Sequence, residues 1–141
     1  MKALRELLLL LGVAALPAGL AIAFHPELAN RARAGLPADA IRPVEAAAWD
    51  EPPLWIDTRE SAAFAAGHIP GAIRFDETAF SASLGTVMEN WRPGRRLVVY
   101  CDSSACARSR EIARHLREAG LDEVYYLHGG WEAWSAATSS S

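Results

Sequence analysis

Cysteine is scarce in this chain, with two among 141 residues. Two thiols cannot build the multi-bridge framework of a small secreted scaffold, and no second Cys/His cluster stands by to complete a structural zinc site. Their role is therefore chemical, or a single bridge, and neither a metal nor a cofactor is expected. Excess positive charge is missing as well. Lys and Arg number 14 against 17 Asp and Glu, giving a net charge of −3 and an isoelectric point near 5.8. A chain without a clustered basic footprint is a poor ligand for nucleic-acid backbones, so no nucleic-acid partner is expected. Internal repeats are absent. Low complexity is confined to the tail Thr138-Ser139-Ser140-Ser141, too polar and short to fold and expected to be disordered.

Hydrophobic residues make up 51% of the chain, and they concentrate first at the N-terminus. Residues 7–24 form an uncharged stretch of 18, preceded by Lys2 and Arg5 and ending in the small-x-small pattern Ala21-Ile22-Ala23. That is a secretory signal-peptide pattern, with cleavage before Phe24. The alternative is a retained anchor, since 18 helical residues span about 27 Å, just short of a hydrocarbon core of about 30 Å. In either case the basic start favours a cytoplasmic N-terminus and export of the remaining chain. The expected location is periplasmic, soluble after cleavage or anchored to the inner membrane through residues 7–24. Residues 25–39 read as a linker interrupted by Pro26 and Pro37. The folded unit is then 40–137.

Within that unit, short apolar runs alternate with helical stretches. Leu54-Trp55-Ile56 reads as a buried strand ending at Asp57, residues 60–66 as a helix stopped by Gly67, and Ala72-Ile73-Arg74-Phe75 as a second strand. Asp76 is placed to cap a helix over 77–90, and Pro93-Gly94 turns the chain into the strand Leu97-Val98-Val99-Tyr100. A helix over 108–119 comes next, with Ile112, Ala113, Leu116 and Ala119 on one face, and Val124-Tyr125-Tyr126-Leu127 closes the series. Such alternation implies an α/β fold, a mostly parallel central sheet of about five strands flanked by helices on both faces. Ligands of such sheets bind at the strands' C-terminal ends.

This rule directs attention to the segment after Tyr100: Cys101, Asp102, Ser103, Ser104, Ala105, Cys106, Ala107, Arg108 and Ser109. A thiol between a strand and a helix N-terminus sits among backbone amides, where partial positive charge favours anions and lowers a cysteine's pKa. Arg108 adds a cation, and Ser103, Ser104 and Ser109 add hydroxyl donors. The expected chemistry is a nucleophilic Cys101 that accepts something anionic.

Four segments in order resemble the rhodanese-like (thiosulfate sulfurtransferase) family: Ile56-Asp57-Thr58-Arg59, Gly67-His68-Ile69-Pro70-Gly71-Ala72, Leu97-Val98-Val99-Tyr100-Cys101, and Gly129-Gly130-Trp131 followed by Trp134. The resemblance covers nearly the whole folded unit. It implies that sulfane sulfur passes from a small anionic donor such as thiosulfate to Cys101 as a persulfide, and then to a thiol or cyanide acceptor. This is covalent, ping-pong chemistry. The loop departs from the family's compact Gly-containing turn, because it has no Gly and Arg108 comes seven positions after Cys101. A wider loop suits a tetrahedral oxyanion too, which keeps an arsenate- or phosphate-handling enzyme as an alternative.

Cys106 opens a further alternative. Five residues from Cys101, it is placed to close a disulfide that protects the nucleophile or makes a non-catalytic redox-sensing module, or else to be a small core residue. Asp57, Arg59 and His68 are expected to support the site: the first two by pairing or orienting the loop, His68 by fixing a turn. Trp131 and Trp134, three apart, are expected to pack in the core, and Gly129 and Gly130 to permit close backbone approach beside the loop.

Overall fold

A computed structural model describes residues 35–139 of the chain. The sheet and its helices belong to one compact unit, Asp39–Ser141. The expected export segment, residues 1–24, and most of the 25–39 linker lie outside the described residues. Among the described residues, no helix is long and apolar enough to cross a membrane.

Five strands form one sheet: β1 (Ala40–Ile41), β2 (Leu54–Asp57), β3 (Ile73–Arg74), β4 (Leu97–Tyr100) and β5 (Val124–Leu127). Their order is β1-β5-β4-β2-β3, and every pairing is parallel. β4, apolar at all four positions, takes the centre, where all four residues are buried. The helices are α1 (Pro43–Ala47), α2 (Ser61–Ala66), α3 (Phe80–Asn90), α4 (Arg108–Glu118) and α5 (Gly130–Ser139).

From β1 through β2 to β3 the chain steps one way across the sheet, and from β3 through β4 to β5 it steps back. Right-handed crossovers then assign α1 and α2 to one face and α3 and α4 to the other. α5 packs against α1 and so joins the first face. On that face Ile41, Val98, Tyr100 and Leu127 form a core with Ala46 and Ile69, and Trp49, Trp55, Tyr125, Trp131 and Trp134 pack around it. The tryptophan pair is thus packing material, as its spacing suggests. α4 buries Ile112, Ala113 and Leu116.

Four differences from the sequence reading have local causes. The fifth strand is β1, two residues at a sheet edge, too short to show any periodicity. The strand expected at 72–75 shrinks to Ile73–Arg74 because Ala72 N donates back to Ile69 O in a turn, at 2.9 Å. The helix expected over 77–90 begins as a 3-10 turn, Glu77–Ala79, because the Asp76 carboxylate accepts from Thr78 N at 3.0 Å. Thr138 and Ser139, expected in a disordered tail, are helical: α5 runs to Ser139, with the Thr138 hydroxyl donating to Trp134 O at 3.1 Å and the Ser139 hydroxyl to Ser135 O at 2.7 Å, while Ser140 and Ser141 lie outside the described residues. Hydroxyls that bond to the preceding turn fit a helix end, where carbonyls lack amide partners.

Candidate active site

β2 and β4 are neighbours that hand the chain to helices on opposite faces, β2 to α2 and β4 to α4. A crevice opens at the C-terminal ends of such a pair. Asp57 ends β2, with Thr58 and Arg59 just past it, and the loop from Cys101 to Ala107 follows β4 at the same edge of the sheet. Thr58 joins the two sides, its amide and hydroxyl both donating to Tyr100 O, at 2.9 and 3.0 Å.

Cys101, the first residue past β4, is 1% exposed. Its sulfur is bonded to that of Cys106, and their Cα atoms lie 6.4 Å apart, inside the span that a disulfide bridges. Cys101 Sγ also lies 3.7 Å from the hydroxyl of Ser109, a buried residue in the first turn of α4. The positive end of an 11-residue helix therefore faces the sulfur, a setting that stabilises a thiolate. Two carbonyl oxygens, Ser103 O and Cys106 O, stand 3.7 Å from the same atom. This corrects the expected ring of amides: with the bridge in place, the turn closed by Cys106 N donating to Ser103 O directs carbonyls at the sulfur. Asp102, Ser104, Ala105 and Ala107 are exposed, and Ser103 and Cys106 half-buried.

The loop's base is gripped by α5. Trp131 N donates to Cys101 O at 2.7 Å and Glu132 N to Asp102 O at 3.0 Å, so amides that a helix start leaves unpaired hold the nucleophile's own backbone. Gly130 makes this approach possible. Its φ is +57°, and a Cβ there would collide with Cys101 O and come within 2.9 Å of the Asp102 carbonyl. The close approach expected of the Gly pair is thus located at this residue.

Asp57 and Arg59 form a buried ion pair, 0% and 3% exposed. Arg59 Nη2 and Nε reach Asp57 at 2.7 and 3.1 Å, and the Arg59 amide donates to the same carboxylate at 2.8 Å. Nη2 also donates to Gly67 O at 2.6 Å, and the guanidinium lies 4.5 Å from the centre of the Trp131 ring. Burial alone would lower the Arg59 pKa, but the hydrogen bond and charge of Asp57 more than offset this and hold it above its ordinary value. The pair is a clamp joining β2, the end of α2 and α5. Tyr100 completes it. Its hydroxyl accepts from Ile69 N at 3.1 Å, and burial, with a hydrogen bond to Asp57, pushes its pKa up.

His68 is exposed. Its ring stacks on Phe64 with centroids 3.9 Å apart, and Nδ1 lies 2.9 Å from Phe64 O, so it fixes the end of α2. Arg108 faces the β2 side of the crevice: Nη1 donates to Thr58 O at 2.9 Å, and Glu60 and Glu77 lie 3.5 and 3.7 Å away. Thr58 and the Tyr100 hydroxyl escaped sequence reasoning as site residues; their only signals were positions beside Asp57 and Cys101. No cluster of metal-ligating side chains occurs among the described residues.

A description of the rhodanese-like domain matches residues 37–137. The thiosulfate sulfurtransferase GlpE of Shewanella oneidensis is 33% identical over 84 residues, 60% of this chain and 77% of that protein. The tRNA uridine(34) hydroxylase of Cupriavidus metallidurans is 30% identical over 103 residues, 66% of this chain and 36% of that protein. Among solved structures, the BH2092 protein of Bacillus halodurans aligns with a TM-score of 0.61 at 20% identity, over 80% of this chain and 82% of that one. A rhodanese-related protein of Thermoplasma volcanium aligns at 0.54 and 18% identity, over 70% and 91%. These likenesses establish the fold.

Proposed function

The chain belongs to the rhodanese-like domain family, and from that premise we propose that it is a sulfurtransferase whose nucleophile is Cys101. A thiolate at Cys101 attacks the outer sulfur of a small anionic donor such as thiosulfate. The bond between the two donor sulfurs breaks, sulfite leaves with its electron pair, and Cys101 holds a persulfide. A thiol or cyanide then takes the outer sulfur and returns the thiolate. The observation that carries the reading is the position of Cys101, buried at the C-terminal end of the central strand and 3.7 Å from Ser109 in the first turn of α4. The curated likeness to a protein named thiosulfate sulfurtransferase supports the choice of donor.

Sulfur transfer is favoured over phosphate or arsenate chemistry by the likeness to a protein named thiosulfate sulfurtransferase, 77% of whose length the match covers. The test is sulfite release when the reduced full chain, freed of reductant, meets thiosulfate. We expect one sulfite per chain from wild type and none from Cys101→Ser. Release that survives Cys101→Ser, or turnover of an aryl phosphate or arsenate without sulfite, overturns the reading.

Residues 7–24 carry a second part of the proposal, export to the periplasm with the folded unit either released or held at the inner membrane. Cell fractionation tests it, and a full-length product confined to the cytosol would refute export.

A further inference from the structure

The bond between Cys101 and Cys106 joins the proposed sulfur carrier to a second thiol in the same loop, and sulfur transfer to an outside acceptor has no use for it. We infer that Cys106 is a resolving cysteine, which discharges the Cys101 persulfide as hydrosulfide and leaves the disulfide behind. The inference rests on the persulfide chemistry of the proposed function and adds the fate of the sulfur.

The geometry meets the requirements of the step. Attack on a persulfide can fall on either sulfur, and the one chosen depends on what can reach it. The inner sulfur is Cys101 Sγ, whose residue is 1% exposed, so an outside thiol meets the outer sulfur first. Cys106 reaches the inner one from within the fold. Its Cα stands 6.4 Å from that of Cys101, and the two sulfurs meet in the structure. Held against Cys101 within the same loop, Cys106 acts at an effective molarity that millimolar external thiols do not match. The half-buried position of Cys106 leaves a route for a reductant to attack its sulfur and reopen the bridge.

The atoms and electrons balance. The Cys106 thiol gives its proton to the outer sulfur as its own sulfur bonds to Cys101 Sγ; the bond between inner and outer sulfur breaks, and the outer sulfur leaves as hydrosulfide with the electron pair. The sulfane sulfur is reduced and the two cysteines are oxidised to the disulfide. A dithiol then supplies two electrons and two protons, becomes a disulfide itself, and restores both thiols. Over a full cycle thiosulfate and a dithiol become sulfite, hydrosulfide and an oxidised dithiol. The co-substrate class is therefore a dithiol, whereas a simple persulfide carrier needs only a single thiol or cyanide.

The experiment tracks sulfite, hydrosulfide and intact mass together, after the reduced, reductant-free full chain receives thiosulfate. Wild type should release one sulfite and one hydrosulfide per chain and end lighter than the thiol form by two hydrogens. Cys106→Ser and Cys106→Ala should release sulfite, at whatever rate, yet retain the second sulfur as an added sulfur mass, with hydrosulfide reduced at least tenfold. Sulfite from these variants also certifies that they are folded. Wild type that holds a stable persulfide, or variants that release hydrosulfide as fast as wild type, overturns the resolving role and leaves sulfur transfer standing. No sulfite from any of the three proteins overturns sulfur transfer itself, and the resolving role with it.

Discussion

A methyl group at Gly130 should damage stability and activity together, far more than the same methyl at another left-handed glycine. Gly120 and Gly130 both have positive φ, +92° and +57°, but a Cβ on Gly120 meets nothing within 4 Å while one on Gly130 runs into the carbonyls of Cys101 and Asp102. Gly120→Ala therefore bears only the backbone term, about 1 kcal/mol for an L-residue held in the left-handed region. Gly130→Ala bears that term and must also push the loop away from α5. That breaks or stretches the bonds from Trp131 N to Cys101 O and Glu132 N to Asp102 O, 2.7 and 3.0 Å long, each worth about 1 kcal/mol. The total is about 3 kcal/mol, which for a domain of this size lowers Tm by about 12 to 24 °C, against about 4 to 8 °C for Gly120→Ala. Because the displaced backbone is that of the nucleophile, a shift on the order of 1 Å should also slow sulfite release about a hundredfold. Circular-dichroism melts of wild type and both variants, with sulfite release measured well below each Tm, provide the comparison. Equal Tm losses for the two variants, or a Gly130→Ala enzyme within twofold of wild type, would refute the claim that α5 positions the loop through this contact.

Asp57→Asn leaves the Arg59 guanidinium buried without its counter-charge and should cost about 3 to 5 kcal/mol in urea unfolding. The double variant Asp57→Asn/Arg59→Met should recover part of that, and an Asp57→Asn protein as stable as wild type would show that the clamp is dispensable. Tyr100 provides a pH signature. Its folded pKa lies above the ordinary 10.0, chiefly through burial, so its contribution is complete below pH 10 and is lost as pH climbs toward the folded value. Above pH 10 wild type should lose stability about 1.4 kcal/mol per pH unit more steeply than Tyr100→Phe; parallel pH profiles would contradict this. Chain oxidised to the Cys101–Cys106 disulfide should release no sulfite from thiosulfate until a dithiol is added. Immediate release from the oxidised form would mean that Cys101 is not the nucleophile.

The elements most legible in the sequence were those whose burial pattern is local. β4 and β5 show as apolar runs, and α4 shows by the spacing of Ile112, Ala113 and Leu116. β1 was invisible because two residues at an edge carry no period; only pairing with Tyr126 and Leu127 makes them a strand. The site divides in the same way. Cys101 was marked by its place after β4, and the Asp57/Arg59 pair by its two-residue spacing at the end of β2. What Arg108 would touch depended on Thr58, fifty positions earlier, and the partner of the Tyr100 hydroxyl is Ile69, 31 positions away. Contacts at that range derive from strand order, which periodicity does not encode. The orientation of peptides in the Cys101 loop was beyond reach for a different reason: it follows from the bridge and from the turn that Cys106 N closes on Ser103 O, neither of which periodicity encodes.

That dependence explains why this loop is long. Its ends are fixed, Cys101 and Asp102 by the first amides of α5 and Ser109 by its burial in the first turn of α4, so residues 103–107 are the part free to rearrange. In the bridged form Ser103 O and Cys106 O face the sulfur. Carbonyl dipoles of that sense repel a thiolate or an anionic persulfide, while amide N–H groups attract one. The bridged loop is thus a poor anion cradle, and a compact glycine turn would leave no room for the second cysteine. Reduction, by releasing Cys106, removes the constraint that holds the carbonyls inward. Under the resolving role proposed for Cys106, the dithiol that ends one cycle therefore also releases the loop for the next.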